Sequence, residues 1–117
     1  MRYAENTSVT VERSRAEIER ILQRYGCREF AYRSTGELAQ IAFKLNDRMI
    51  RFELHLPDPN SDEFTRTPSR RTKRNEAAAY KAWEQACRQR WRALMLVIKA
   101  KLEAVETGIT SFDVEFL

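Results

Sequence analysis

The chain has 117 residues, 43% of them hydrophobic and 32% charged, with three Gly and three Pro. That length and balance describe one soluble globular domain able to bury a core, and they exclude a disordered tail. A net charge of +4 tilts the protein toward anionic partners without naming one.

Cys27 and Cys87 stand too far apart for metal-ligand spacing and suit a reducing compartment. The N-terminal "MRYAENTSVT" lacks the apolar core of a secretory signal. The longest apolar run, Ala93–Ile98, is six residues, against about 20 for a membrane span. The expectation is a cytoplasmic protein without a membrane partner.

The first periodic segment is "SRAEIERILQRYG". Ser14 and Glu17 have the spacing of a capping box, and Ile18, Ile21, Leu22 and Tyr25 share one helical face. Gly26 suits the residue after the cap. A helix is predicted over 12–26, its body from Arg15 to Tyr25. The opposite face, with Glu12, Arg13, Glu19, Arg20 and Arg24, reads as solvated.

Period-two alternation follows, predicting an antiparallel sheet over 28–56. A first strand near Arg28–Arg33 carries Phe30 and Tyr32 on one side, and "RSTG" turns it back. In "LAQIAFKL" and "RMIRFELHL" the apolar sets are Ala39, Ile41, Phe43, Leu45 and Ile50, Phe52, Leu54, Leu56. Asn46-Asp47 fits a two-residue hairpin turn. That turn pairs Phe43 with Ile50, Ile41 with Phe52 and Ala39 with Leu54, all on one face, as one buried side requires.

The stretch 57–74 holds Pro57, Pro59 and Pro68 and breaks all periodicity, which predicts a long loop. Its first half is acidic (Asp58, Asp62, Glu63) and its second half basic (Arg66, Arg70, Arg71, Lys73, Arg74).

A long helix is predicted over 75–107, with Gly108 as its stop. Its large apolar stripe runs through Tyr80, Trp83, Cys87, Trp91, Leu94, Ile98, Leu102 and Val105. A small face of Ala82, Ala86, Ala93, Val97, Ala100 and Ala104 suits close approach of a second helix or of a second subunit in a homo-oligomer. Lys81, Arg88, Arg92 and Lys99 line up within roughly 40° on the remaining face. That line reads either as a solvated surface with glutamate partners or as an anion-binding stripe, reinforced by the basic loop. Arg90 and Lys101 sit awkwardly between the large and small faces. Each either snorkels to the rim or meets a specific acid or anion, and in an oligomeric nucleotide sponge Arg90 or Lys101 with a neighbouring aromatic would line a pocket. A short helix over 110–117 follows, capped by Thr110 or Ser111, with Phe112, Phe116 and Leu117 inward.

The expected fold class is α+β in one domain over 1–117: N-terminal helix, three-stranded antiparallel β-meander, long loop, long C-terminal helix and short terminal helix. The catalytic inventory is thin. His55 is the lone histidine, no metal, nucleophile or phosphate-loop motif is present, and Asp58, Asp62 and Glu63 match no cation motif. The expectation is a non-enzymatic protein without a cofactor or metal. Trp83 and Trp91 read as core, which leaves Tyr3 and Phe64 as the freer aromatics for base stacking.

The segment from "PSRRTKRNEAAAYKAWEQACRQRWRALMLVIKAKLEAVE" to "EFL", with "SRAEIERILQRYG" and "IAFKLNDRMIRFELHLPDP", resembles a family of small bacteriophage and prophage proteins without an assigned activity. The most specific part is "RQRWRALMLVIKAKLEAVE". The resemblance implies a phage accessory protein, and a short form, since similar proteins run on past "EFL". It carries over no site residue. The functional expectation is binding of nucleic acid, or of a host nucleic-acid-handling or defence complex, through the basic helix face and loop. The alternatives are an oligomeric sponge for a small nucleotide signal and an assembly protein with no ligand.

Overall fold

The computed structural model describes residues 4, 7–35 and 37–116, and its first element, α1, spans Val11–Arg24. The N-cap is Thr10, whose hydroxyl accepts from Arg13 N–H at 3.1 Å. The helix therefore starts ahead of the expected Ser14–Glu17 box. Thr10 is a competent cap, and starting there lets Val11 pack against the core. Ser14 falls inside the helix and is fully buried. Glu17 turns its carboxylate to Arg92 instead. At the other end Gly26 takes φ +87°. Its N–H donates to Gln23 O at 3.0 Å, and Cys27 N–H donates to Leu22 O at 2.9 Å. This is a Schellman closure, which favours glycine at that position.

Strands β1 (Glu29–Thr35), β2 (Leu38–Leu45) and β3 (Arg48–His55) form an antiparallel sheet in the order β1-β2-β3. The β2–β3 register is the expected one: Phe43 opposite Ile50, Ile41 opposite Phe52, Ala39 opposite Leu54. Asn46 and Asp47 both take positive φ, +52° and +59°, as a type I′ turn demands. Strand β1 runs on to Thr35 and sets Phe30 opposite Phe43 and Tyr32 opposite Ile41.

The predicted loop over 57–74 is more ordered than its composition suggested. It holds a short helix α2 (Asp62–Thr65), capped by Ser61, and an antiparallel bridge between Arg66 and Lys73. Thr67 N–H closes the turn by donating to Thr72 O at 2.8 Å. The anchor is Phe64, which is buried.

Helix α3 spans Glu76–Glu106, with Asn75 accepting from Ala78 N–H at 2.8 Å as its cap. At 1.5 Å per residue it is about 46 Å long. Helix α4 (Phe112–Phe116) follows, and Ser111 Oγ accepts from Val114 N–H at 3.2 Å. Tyr3, Gly36 and Leu117, which earlier expectations touched, lie outside the described residues.

One core joins the inward sheet face to α1 and α3 through Ile18, Leu22, Phe43, Trp91, Ile98 and Leu102. Helix α1 runs parallel to α3. Gln85 meets Thr7, Arg92 meets Glu17, and Glu106 meets Tyr25, so positions rise together on both elements.

Candidate functional site

The parallel arrangement sets the outward side of α1 against the basic line of α3. Arg20 and Arg24 from α1 face Arg92 and Lys99 from α3 across a groove of about 570 Å³. Four of its eight lining residues are cationic and one, Glu17, is acidic. Glu17 is already engaged, ion-paired to Arg92 and 3.6 Å from Arg13. Arg20, Arg24 and Lys99 are exposed and form no ion pair among the described residues. Three such cations around one groove, with protein walls, focus their field on an approaching anion.

Arg88 stands one turn before Arg92 and is fixed in place. Its Nη2 and Nε donate to Gln85 Oε1 at 2.6 and 3.1 Å. Gln85 in turn donates from Nε2 to Thr7 O at 2.8 Å. Thr7, Ser8, Thr10, Gln85 and Arg88 line a polar recess of about 380 Å³. Lys81, first in the line, is exposed.

On its other side Arg88 borders a cleft of about 320 Å³ between the start of α1, the end of β1 and the first turns of α3. Its walls are aromatic. Tyr80 is 56% exposed, and its ring centroid lies 5.6 Å from that of Trp83. The Arg15 guanidinium sits 3.8 Å from the Tyr32 ring centroid and 5.5 Å from that of Trp91. Arg15 Nε is shielded from water and has no hydrogen-bond partner. Glu12 and Glu84 also line the cleft. Burial pushes the Cys87 thiol up, so it stays protonated and forms wall. Trp91 is core, as the periodicity suggested, but Trp83 and Tyr80 line an opening and do not belong to the buried core.

The remaining sequence candidates are placed elsewhere. Within the loop one carboxylate, Asp62, serves two arginines. Asp62 lies 3.3 Å from Arg71 and 4.0 Å from Arg66, and Arg66 also donates to Arg71 O at 3.1 Å. Arg74 donates to Phe64 O at 3.3 Å. Arg70 and Lys73 are exposed, without an ion pair among the described residues. Phe64, expected to be free for stacking, is the loop's buried plug.

Arg90 and Lys101 make separate contacts. They stand about 16 Å apart along the helix axis. Arg90 donates to His55 O at 2.9 Å, fastening the end of β3. Lys101 donates to Glu115 O at 3.0 Å, with the Glu115 carboxylate at 3.6 Å, fastening α4. Along the small face of α3, Ala100 is exposed and Ala82, Ala86, Ala93, Val97 and Ala104 are half-buried.

Among the described residues no group of three or more His, Cys, Asp or Glu is placed to hold a metal ion. No helix among them is long and apolar enough to cross a membrane. No protein-family model, curated protein or solved structure matches the chain.

Proposed function

We propose that the protein is a non-enzymatic nucleic-acid-binding protein whose phosphate-contacting surface is the outer groove between α1 and α3. The observation that carries this reading is the gathering of Arg20, Arg24 and Lys99, none in an ion pair among the described residues, around one groove beside the Glu17–Arg92 pair. Like charges held together repel, and a bound polyanion relieves that repulsion. The line from Arg88 to Lys99 extends about 16 Å along α3, which suits a chain of phosphates better than a single ion. The resemblance to phage and prophage proteins suggests the setting, nucleic acid or a nucleic-acid-handling defence complex of a bacterial host.

The test is binding of a labelled single-stranded oligonucleotide across a salt series. Three phosphate contacts, from Arg20, Arg24 and Lys99, correspond to a slope of log K against log salt of about −2. The triple variant Arg20→Glu, Arg24→Glu, Lys99→Glu changes only exposed side chains. It should keep the native circular dichroism and lose most of both the affinity and the slope. Unchanged binding by that variant would remove the groove from consideration.

A further inference from the structure

The groove accounts for the outward cations but leaves the aromatic cleft at the start of α3 without a role. Trp83 is anchored there, its Nε1–H donating to Pro57 O at 2.8 Å, but three features face a ligand-sized opening. Tyr80 and Trp83 sit side by side with Tyr80 more than half uncovered. Arg15 is stacked on Tyr32, yet its shielded Nε–H donates to nothing. Arg88 is held by Gln85 on the boundary between an aromatic cleft and a polar recess, and it lines both, as does Thr10.

We infer that the cleft is a nucleobase pocket, in which one unstacked base lies against Tyr80 and Trp83 while its phosphate is held at Arg88 in the adjoining recess. A base is flat, apolar on its faces and polar along its edge, and the cleft matches each property. The rings offer a stacking surface, and the face of every base can use one. Glu12 and Glu84 accept from the amino and ring N–H groups of a base edge, and Arg15 donates to its carbonyl or ring nitrogen. The volume, about 320 Å³, sits at the small end of the range for small-molecule sites, about 300–1,000 Å³.

Other ligand chemistries leave part of the site unused. An inorganic anion would ignore the rings and meet the two carboxylates. An aromatic hydrocarbon would bury Arg15, Glu12 and Glu84 without partners. A duplex hides its base faces in the stack, so the pocket selects a single strand or a free nucleotide.

This pocket rests on the nucleic-acid reading of the groove for the strand that delivers the base. Arg88 and Arg92 are one helical turn apart. A strand leaving the pocket at Arg88 therefore passes directly to Arg92 and on toward Lys99. The pocket by itself reads only one nucleotide, a unit common to a strand and to free nucleotide.

The experiment is a tryptophan-fluorescence titration of the full chain, whose two tryptophans are Trp83 and Trp91. The probes are an oligodeoxyadenylate of about 12 nucleotides, a base-free deoxyribose-phosphate strand of equal length, the matching duplex, and adenosine monophosphate. The single strand should quench strongly, and the base-free strand should bind more weakly without quenching. Tyr80→Ala, an exposed change that spares the fold, should weaken the single strand about five- to 150-fold. Trp83→Phe, which keeps a ring but removes a reporter and the indole N–H donated to Pro57 O, should weaken it less when binding is read from a labelled oligonucleotide.

Equal binding of the two strands, with Tyr80→Ala inert, would overturn the pocket while leaving the groove standing. Quenching by adenosine monophosphate that survives the groove triple variant, with no tighter binding of the strand, would support the pocket and overturn the groove. No binding of any probe would overturn both.

Discussion

Toward its C-terminal end α3 lies under a closed cluster of rings. Phe116 meets Phe43 and Phe52 edge-on at 6.3 and 6.4 Å and stacks on Phe112 at 5.0 Å. Toward its N-terminal end the same helical period continues through Trp83 and Tyr80, yet Tyr80 is open to solvent. The two ends share one sequence pattern and differ in what lies opposite. A strand of eight residues such as β2 spans about 26 Å, against about 46 Å for α3. A stripe that outruns its sheet must overhang. Here α4 covers one overhang, while the other, held to the loop by the Trp83 indole N–H on Pro57 O, borders the cleft and leaves Tyr80 open. An apolar period therefore shows which side of a helix is inward without showing how far the core reaches.

Truncation at each end should separate them most sharply. Ile98→Ala, at a fully buried site, should cost about 2–5 kcal/mol in urea unfolding. Tyr80→Ala should stay within about 0.5 kcal/mol. Equal costs would mean that the N-terminal end is core after all.

A smaller effect tests how the closed end is held. Lys101→Met removes the donor to Glu115 O and should cost about 1 kcal/mol, the pair being partly solvated. Amide exchange over 112–116 should accelerate while β2 stays protected. Unchanged exchange there would show that the rings alone hold α4.

The smallest effect is alkaline. Tyr25 O–H donates to Glu106 at 2.7 Å, and this bond to a carboxylate, followed by desolvation, raises the Tyr25 pKa. A raised folded-state pKa gives stability that is present below the unfolded value, about 10, and is lost as pH rises through the folded one. Stability should therefore fall above about pH 10 more steeply in the wild type than in Tyr25→Phe. Parallel alkaline limbs would show that this contact adds nothing.

The hairpin was legible in the sequence because two signals converged, the alternation and the Asn46-Asp47 turn. The extent of α3 was legible because nothing between Asn75 and Gly108 breaks a helix. The cap of α1 was not, since Thr10 and Ser14 are both good caps and the tertiary pairing of Glu17 with Arg92 left no capping box to form. The order in the loop hinged on Phe64, a single apolar residue among polar ones, too little for any period. The basic line on α3 was visible on the helical wheel. Its facing wall was not, because Arg20 and Arg24 look merely solvated until α1 is known to run parallel to α3. Arg90 and Lys101 were legible as misfits. Arg90 is bound to a main-chain carbonyl, which no residue pattern records, and Lys101 to the carbonyl and the carboxylate of Glu115, whose place beside it depends on the fold of α4.

That parallel packing has a consequence for dissection of the protein. The contacts that set the two helices together join residues far apart in the chain: Glu17 with Arg92 across 75 positions, Thr7 with Gln85 across 78 and Tyr25 with Glu106 across 81. The groove is thus a discontinuous surface. A synthetic peptide covering α3 carries every cation of the stripe and none of the opposing wall, and a chain ending before α3 carries the reverse. Neither fragment is a smaller version of the site, which comes into being only when both ends of the polypeptide have met.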